Sequence, residues 1–208
     1  MRFISCCKSQ ARLLAAAAEW MAEHGSLAGL TLRALAAAAG VSHNAIYRHY
    51  GSVEDMSMDL AADFVQQLRQ GLADARATLK PGEAPTRAVV GWLFDFALQH
   101  PAHFKAAQMT RQGPPGAARD LLESHLDEVR RDMQTQLMQK GMLPSISAAD
   151  LETALAIIIE HTFTLCIRCI EAPQQREALL VRAEQGFTWV LSGAALTAAT
   201  GNLPKPGP

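Results

Sequence analysis

The run TLRALAAAAGVSHNAIYRHY, at residues 31–50, places hydroxyl, imidazole, amide and guanidinium groups among small apolar residues. Side chains of these types bind nucleic acid, because amides and guanidinium groups pair with base edges while hydroxyls bond phosphate oxygens. Asn44 can bond adenine in a bidentate way, Arg48 can do the same with guanine, and Ala45 can contact a thymine methyl group. The sequence does not decide which of these contacts is made.

The spacing within this run predicts a helix-turn-helix. Thr31 and Ser42 are N-cap residues that open two short helices. Ala36 is small where two crossing helices approach closely, and Gly40 occupies the turn position that needs a positive φ. In such a motif the second helix enters the major groove by its N-terminal end. The residues expected to contact DNA are Thr31, Arg33, Ser42, His43, Asn44, Ala45, Tyr47, Arg48, His49 and Tyr50.

Helical patterns continue on both sides of this motif. A first helix is predicted at about 8–24, closed by Gly25, and a long helix runs from Val53 to the break at Lys80-Pro81-Gly82. Further helical patterns occupy about 85–99, 101–112, 117–140, 148–171 and 174–199. No strand pattern competes, so the fold class predicted is all-α.

Charge is distributed unevenly along the chain. The net charge is -1, yet residues 1–50 hold five Lys or Arg against two acidic residues, and the remaining chain holds 14 against 18. Only the N-terminal part therefore suits a polyanion such as DNA. No run reaches the roughly 18 consecutive apolar residues of a membrane span, so we expect a cytoplasmic protein without a membrane partner.

Two stretches resemble the TetR family of bacterial transcriptional regulators, RLLAAAAEWMAEHG in the first helix and TLRALAAAAGVSHNAIYRHYGSVEDM after it. The resemblance covers about residues 10–60. It implies phosphate-contacting and base-reading roles for Thr31, Ser42, His43, Asn44, Tyr47 and His49. Two positions depart from the family pattern. Val53 stands where a lysine is usual, which removes one phosphate contact, and Asn44 stands where a glycine is common.

The resemblance implies a DNA-binding domain at 1–60, with its helix-turn-helix at 31–50, and a helical ligand-binding and dimerisation domain at 84–200. The tail at 201–208 is expected to be disordered. The expected function is that of a DNA-binding transcriptional regulator, a repressor released from a palindromic operator by a small, mostly apolar effector. Its expected partners are double-stranded operator DNA, that effector and a second copy of the chain.

The second domain offers candidate ligand and dimer residues. The segment FDFALQHPAHFKAAQM, at 94–109, is similar to part of the regulatory domain in one group of TetR-type proteins. Polar residues in the apolar helix 148–171 need either a partner in the core or a ligand, and both readings stay open. The ligand-binding candidates are His103, Phe104, Met109, His125, His161, Thr162 and Thr164. The last two long helices are expected to form the dimer interface through Leu155, Ile159, Cys166, Phe187, Val190 and Leu191.

Other chemistries have weaker support in the sequence. Neither a metal nor a cofactor is predicted, because no carboxylate or cysteine recurs with the histidines at ligand spacing. Cys166 and Cys169 lie one helical turn apart, where a disulfide would distort the backbone, and are interpreted as buried small hydrophobes. The chain has no Gly-rich phosphate loop and no nucleophile elbow, so we do not expect an enzyme. A DNA-binding structural protein without an effector remains an alternative.

Overall fold

The computed structural model describes residues 2–78, 85–139 and 146–200, and within these ranges the secondary structure is helix and turn. A short 3-10 turn at Pro173–Gln175 precedes the last helix. The all-α prediction is confirmed. The helices are α1 (Arg2–His24), α2 (Leu32–Ala38), α3 (His43–Ile46), α4 (Val53–Ala77), α5 (Pro85–Gln99), α6 (Pro101–Gln112), α7 (Ala117–Gln139), α8 (Ala148–Glu171) and α9 (Arg176–Thr200).

Local signals explain where these helices begin and end. The Thr31 side chain accepts the N–H of Ala34 at 3.1 Å and so caps α2. Gly25 adopts φ +76 directly after α1, and its N–H bonds the Met21 carbonyl at 2.9 Å. One boundary was predicted wrongly: α1 begins at Arg2 and not near residue 8. The segment 2–7 has no proline or glycine to stop the helix.

The chain divides into two compact units whose limits differ from the predicted domain boundary. Among the described residues, the first unit contains 2–73 and 99–124, and the second contains 74–78, 85–98, 125–139 and 146–200. Segment 99–124 was expected in the regulatory domain, but α6 packs along α1 in the first unit. There the Thr110 hydroxyl lies 3.6 Å from the sulfur of Met21. The predicted tail at 201–208 lies outside the described residues.

The first unit is held together by a core that the helix-turn-helix shares with α1 and α4. Leu13 and Ile46 are fully buried in this core, and Leu35 and Met56 pack in the same cluster. Fully burying a side chain of this size contributes about 1.5–3 kcal/mol. Because α2 and α3 have only 7 and 4 residues, this shared core and not helix propensity fixes their positions.

The second unit is built around α8 and α9. Leu155 and Ile158 on α8 are buried against Phe187 and Leu191 on α9. Arg176, the first residue of α9, donates to both carboxylate oxygens of Asp95 on α5, at 2.7 and 2.9 Å. This two-point bond fixes the start of α9 against α5.

Among the described residues, one helix, α8, is long and apolar enough that it would also suit a membrane span. The core helix of a folded protein meets the same criterion, and the side of α8 that carries Leu155 and Ile158 is buried in the second unit. Packing against α9 therefore accounts for the apolar residues on that side of α8.

Candidate nucleic-acid interface

The turn between α2 and α3 has the geometry that the sequence predicts. Gly40 adopts φ +59, a left-handed conformation that residues with a Cβ rarely take. The next residue, Val41, donates its N–H to the carbonyl of Ala36 at 2.8 Å and closes the turn. Ala36 is buried at the crossing of the two helices. These positions confirm the helix-turn-helix assignment of both residues.

Beneath the surface, Ile46 anchors α3 and sets the direction of its neighbours. Its side chain is fully buried, and its carbonyl accepts the N–H groups of both His49 and Tyr50 at 2.9 Å. The helical path thus continues for about one turn beyond the four residues of α3. With Ile46 inward, His43, Asn44 and Arg48 are exposed. These are three of the side chains expected to reach base edges.

Two hydroxyl groups lie at the N-terminal ends of the two helices. Thr31 Oγ1 accepts the Ala34 N–H and keeps its own O–H for donation to an anion. Ser42 occupies the N-cap position of α3 but makes no side-chain capping bond there. Both residues are exposed. Hydroxyls in this arrangement are suited to bond phosphate oxygens, as the resemblance implies.

The aromatic residues of the motif take two different environments. Tyr47 is 53% exposed, and its ring meets that of His43 edge to face with centroids 4.9 Å apart. Ala45 and His49 are half-buried. Tyr47 therefore presents its hydroxyl from the same surface as His43.

Tyr50 is a correction to the expected set of DNA contacts. Its side chain is only 3% exposed and packs in the core of the first unit. Burial raises the pKa of its phenol, and the nearby Asp59 carboxylate raises it further. Tyr50 supports the motif from below and does not present a surface to DNA. Arg33, by contrast, is exposed on α2.

Arg12 is a residue of the interface region that the sequence interpretation counted only as charge. It lies exposed on α1, and its guanidinium Nη2 donates to the carbonyl of Gly40 at 3.2 Å. The contact spans 28 positions of the chain, so no local pattern signals it. The positive balance of residues 1–50 was the only available hint.

The candidate ligand residues are divided between the two units and have unlike environments. His103, Phe104 and Met109 belong to the first unit, where Phe104 is fully buried and meets Phe64 edge to face at 5.8 Å. His103 lines a small crevice whose cavity volume of about 10 Å³ is the space of one water molecule. Phe104 is therefore a core residue of the first unit, and a ligand role for His103 and Met109 stays a prediction.

The other four candidates belong to the second unit. Thr162 is buried and donates to the Ile158 carbonyl at 2.8 Å, while Thr164 is exposed and donates to the Glu160 carbonyl at 3.0 Å. His125 is buried with Nδ1 at 3.5 Å from Glu128, and half-buried His161 lies against Gly186. Each hydroxyl therefore donates within its own helix, and a role of either threonine in ligand binding stays a prediction.

Two of the expected dimer residues need correction, and the other four stay predictions. Leu155 and Cys166 are buried inside the second unit, on the side of α8 opposite to exposed Ile157. Phe187, Val190 and Leu191 are partly buried against the cluster around Leu155 and Ile158, and Ile159 is half-buried. The burial of Cys166 and Cys169 agrees with their interpretation as small hydrophobes, and burial raises the pKa of both thiols.

The turn at Gly40, the inward Ile46 and the exposed residues around them define a helix-turn-helix DNA-binding protein. Residues 13–57 match the model of the family described as "Bacterial regulatory proteins, tetR family". The resemblance found in the sequence is therefore confirmed. Residues 13–57 of this chain are therefore a DNA-binding domain of the TetR type.

Solved structures share the fold over most of the chain. The fatty acid degradation regulator FadR from Bacillus halodurans is 16% identical, with a TM-score of 0.70 over 89% of this chain and 95% of its own. A TetR-like transcriptional regulator from Rhodococcus sp. RHA1 is 19% identical, with a TM-score of 0.66 over 89% and 96%. SmeT in complex with triclosan is 16% identical, with a TM-score of 0.59 over 96% and 99%.

Proposed function

We propose that this protein is a dimeric repressor that binds a palindromic operator in the cytoplasm and is released by a small, mostly apolar effector. One observation carries the DNA-binding part: Thr31, Ser42, His43, Asn44 and Arg48 are exposed together above a core that fixes their helices. A two-fold dimer presents this surface twice, which matches a palindrome.

The test of DNA binding separates phosphate contacts from base contacts. DNA fragments selected from a random library by the purified protein are sequenced, and affinities are then measured for the selected fragment and for variants of it. Tyr47→Phe should weaken binding to every fragment by a similar factor, because phosphate contacts carry no sequence information. Asn44→Ala and His43→Ala should change which bases are preferred, by about 1–3 kcal/mol at the affected position. An unchanged base preference in both variants would refute the assignment of this surface.

A dimer is supported by apolar side chains that the single chain leaves exposed on α8 and α9. Trp189 and Leu196 lie on the exposed side of α9, and Ile157 lies on the exposed side of α8. The small residues Ser192 and Gly193 adjoin them and allow close approach of another helix. We place the interface on this face and not at the buried positions predicted from the sequence. Exposed apolar residues grouped in this way are typical of protein contacts.

Two of the structurally similar proteins support the proposal of a small-molecule effector. SmeT binds triclosan, and FadR regulates fatty acid degradation. The second unit of the present chain is rich in apolar helices and buries His125 and Thr162, which suits the mostly apolar, sparsely polar lining of ligand sites.

Calorimetry with triclosan and with a long-chain fatty acid tests the effector, using the free protein and the protein bound to its selected DNA. A true inducer must bind the two forms with different affinities. Operator DNA must lower the affinity of the protein for the inducer by the same factor by which the inducer lowers its affinity for the operator. A ligand with equal affinity for both forms is no inducer. If neither probe nor a wider set of apolar compounds shows such coupling, the effector-independent alternative is favoured.

A further inference from the structure

Two exposed rings pack against each other on the surface of α3. The imidazole of His43 and the phenol ring of Tyr47 have centroids 4.9 Å apart and planes at 74°, an edge-to-face arrangement. His43 is the first residue of α3, and Tyr47 is its C-cap residue, with helical φ and ψ. The two residues are thus four positions apart, the spacing at which side chains meet on one face of a helix.

The side chain of His43 has few other constraints. Ile46 is fully buried and fixes the backbone of α3, but a fixed backbone still leaves several rotamers to an exposed side chain. In the part of the chain that the structure describes, the His43 imidazole makes no hydrogen bond or ion pair. The ring of Tyr47 is therefore the contact that restricts its orientation.

Orientation matters for a side chain that recognises a base. A hydrogen bond weakens steeply when the angle at its hydrogen falls below about 120°. A side chain that is already held near its bound orientation also loses less conformational freedom on binding, which raises its affinity for the base that it fits. A neighbouring ring can therefore add sequence discrimination without contacting a base itself.

We infer that the ring of Tyr47 orients the imidazole of His43 and thereby strengthens discrimination between bases at the base pair that His43 contacts. Tyr47 is a positioning residue in this role. The role belongs to the ring, whereas the phosphate bond proposed for Tyr47 belongs to its hydroxyl and carries no sequence information. The inference rests on the proposed binding of DNA by the surface around α3.

The test measures affinities by fluorescence anisotropy for a set of operator fragments in which each base pair is replaced in turn. His43→Ala locates the base pair at which His43 contributes, and Asn44→Ala locates a second base pair as an internal reference. Tyr47→Leu removes the ring, whereas Tyr47→Phe keeps the ring and removes only the hydroxyl. Tyr47→Gln is a second variant without a ring, and circular dichroism checks that each protein is folded.

Tyr47→Leu and Tyr47→Gln should lower discrimination at the His43 base pair by about two- to tenfold, the factor that corresponds to the strength of an aromatic pair. Discrimination at the Asn44 base pair should not change. Tyr47→Phe should weaken binding to every fragment and keep the wild-type discrimination at both base pairs. Combining His43→Ala with Tyr47→Leu should lose no more discrimination than His43→Ala alone, because the ring acts through the imidazole.

Three results of the Tyr47 variants would overturn the inference: full discrimination at the His43 base pair in both variants without a ring, an equal loss in Tyr47→Phe, or an equal loss at the Asn44 base pair. It also fails if His43→Ala changes no base preference. In each of these cases, a changed preference in Asn44→Ala shows that DNA binding by this surface stands. If neither His43→Ala nor Asn44→Ala changes any preference, the proposed surface itself is wrong.

Discussion

The guanidinium of Arg12 donates a hydrogen bond to the carbonyl of Gly40, which joins α1 to the turn of the helix-turn-helix. A Cβ atom on Gly40 would lie 2.5 Å from Nη2 of Arg12. The left-handed backbone disfavours any side chain at this position, and an added Cβ would also displace the exposed Arg12 guanidinium and its bond to the Gly40 carbonyl.

A left-handed conformation costs an alanine about 1–2 kcal/mol. We expect Gly40→Ala to lower the free energy of unfolding by more than this. Gly29→Ala is the matched control, since Gly29 has φ +80 but nothing within 4 Å of an added Cβ. Combining Gly40→Ala with Arg12→Ala should reduce the loss to that of Gly29→Ala. Urea denaturation measures all four proteins, and equal losses for Gly40→Ala and Gly29→Ala would show that the contact has no energetic weight.

Trp189→Asp is expected to give monomers that keep their helical circular dichroism, because this side chain is 72% exposed in the single chain. A carboxylate buried without a partner in an interface costs several kcal/mol. Phe187→Asp should instead destabilise the monomer, since Phe187 packs against the cluster around Leu155. Light scattering gives the mass, and a Trp189→Asp protein that remains dimeric would move the interface elsewhere.

His103 predicts a pH dependence of stability. Burial lowers its pKa below the ordinary 6.5, and neighbouring His100 lowers it further, while the carboxylates of Asp63 and Glu19 oppose the shift. As pH falls below 6.5 the unfolded chain takes up the proton first, so stability decreases toward the folded-state pKa. His103→Gln should lose less stability than the wild type between pH 7 and pH 5. Parallel curves for the two proteins would contradict this.

Arg176→Ala is expected to lower the free energy of unfolding by about 1 kcal/mol, because the partly exposed bidentate bond to Asp95 and the bond to the Gly91 carbonyl are lost. Arg176→Lys should recover part of this loss, since an ammonium cannot reproduce the two-point geometry. Arg182→Ala, at an exposed position on the same helix, should change little. The result is contradicted if Arg176→Ala and Arg182→Ala behave alike.

Most helix boundaries were predictable because they depend on neighbouring residues. Thr31 caps α2, Pro101 begins α6 and Gly25 closes α1, and each acts within one turn of its own position. The grouping of segment 99–124 with the N-terminal unit was not predictable, since it depends on α6 packing along α1 about 90 positions away. A helical pattern shows that one side is buried but not which helix covers it.

The same limit applies to the candidate site. The exposure of Ser42, His43 and Asn44 follows from the inward position of Ile46, which the spacing indicates. Tyr50 lies four positions after Ile46, so the same spacing indicates an inward side, and including it among the DNA contacts went against that pattern. Leu155 and Cys166 were misplaced for a different reason: α8 is apolar around most of its circumference, so its sequence does not distinguish the side facing its own chain from a side facing a partner.

The shortness of α3, four residues from His43 to Ile46, limits the information that one chain can read. This helix and the turn that follows it direct His43, Asn44, Ala45 and Arg48 toward base edges, enough for about four base pairs, and a given sequence of four base pairs occurs by chance about once in 256 positions. A genome offers on the order of 10⁶ or more competing positions. Two such sequences at fixed spacing occur about once in 65,000 positions, so even a symmetric pair leaves many chance matches. The shape and stiffness of the DNA between the two half-sites can supply part of the remaining selectivity.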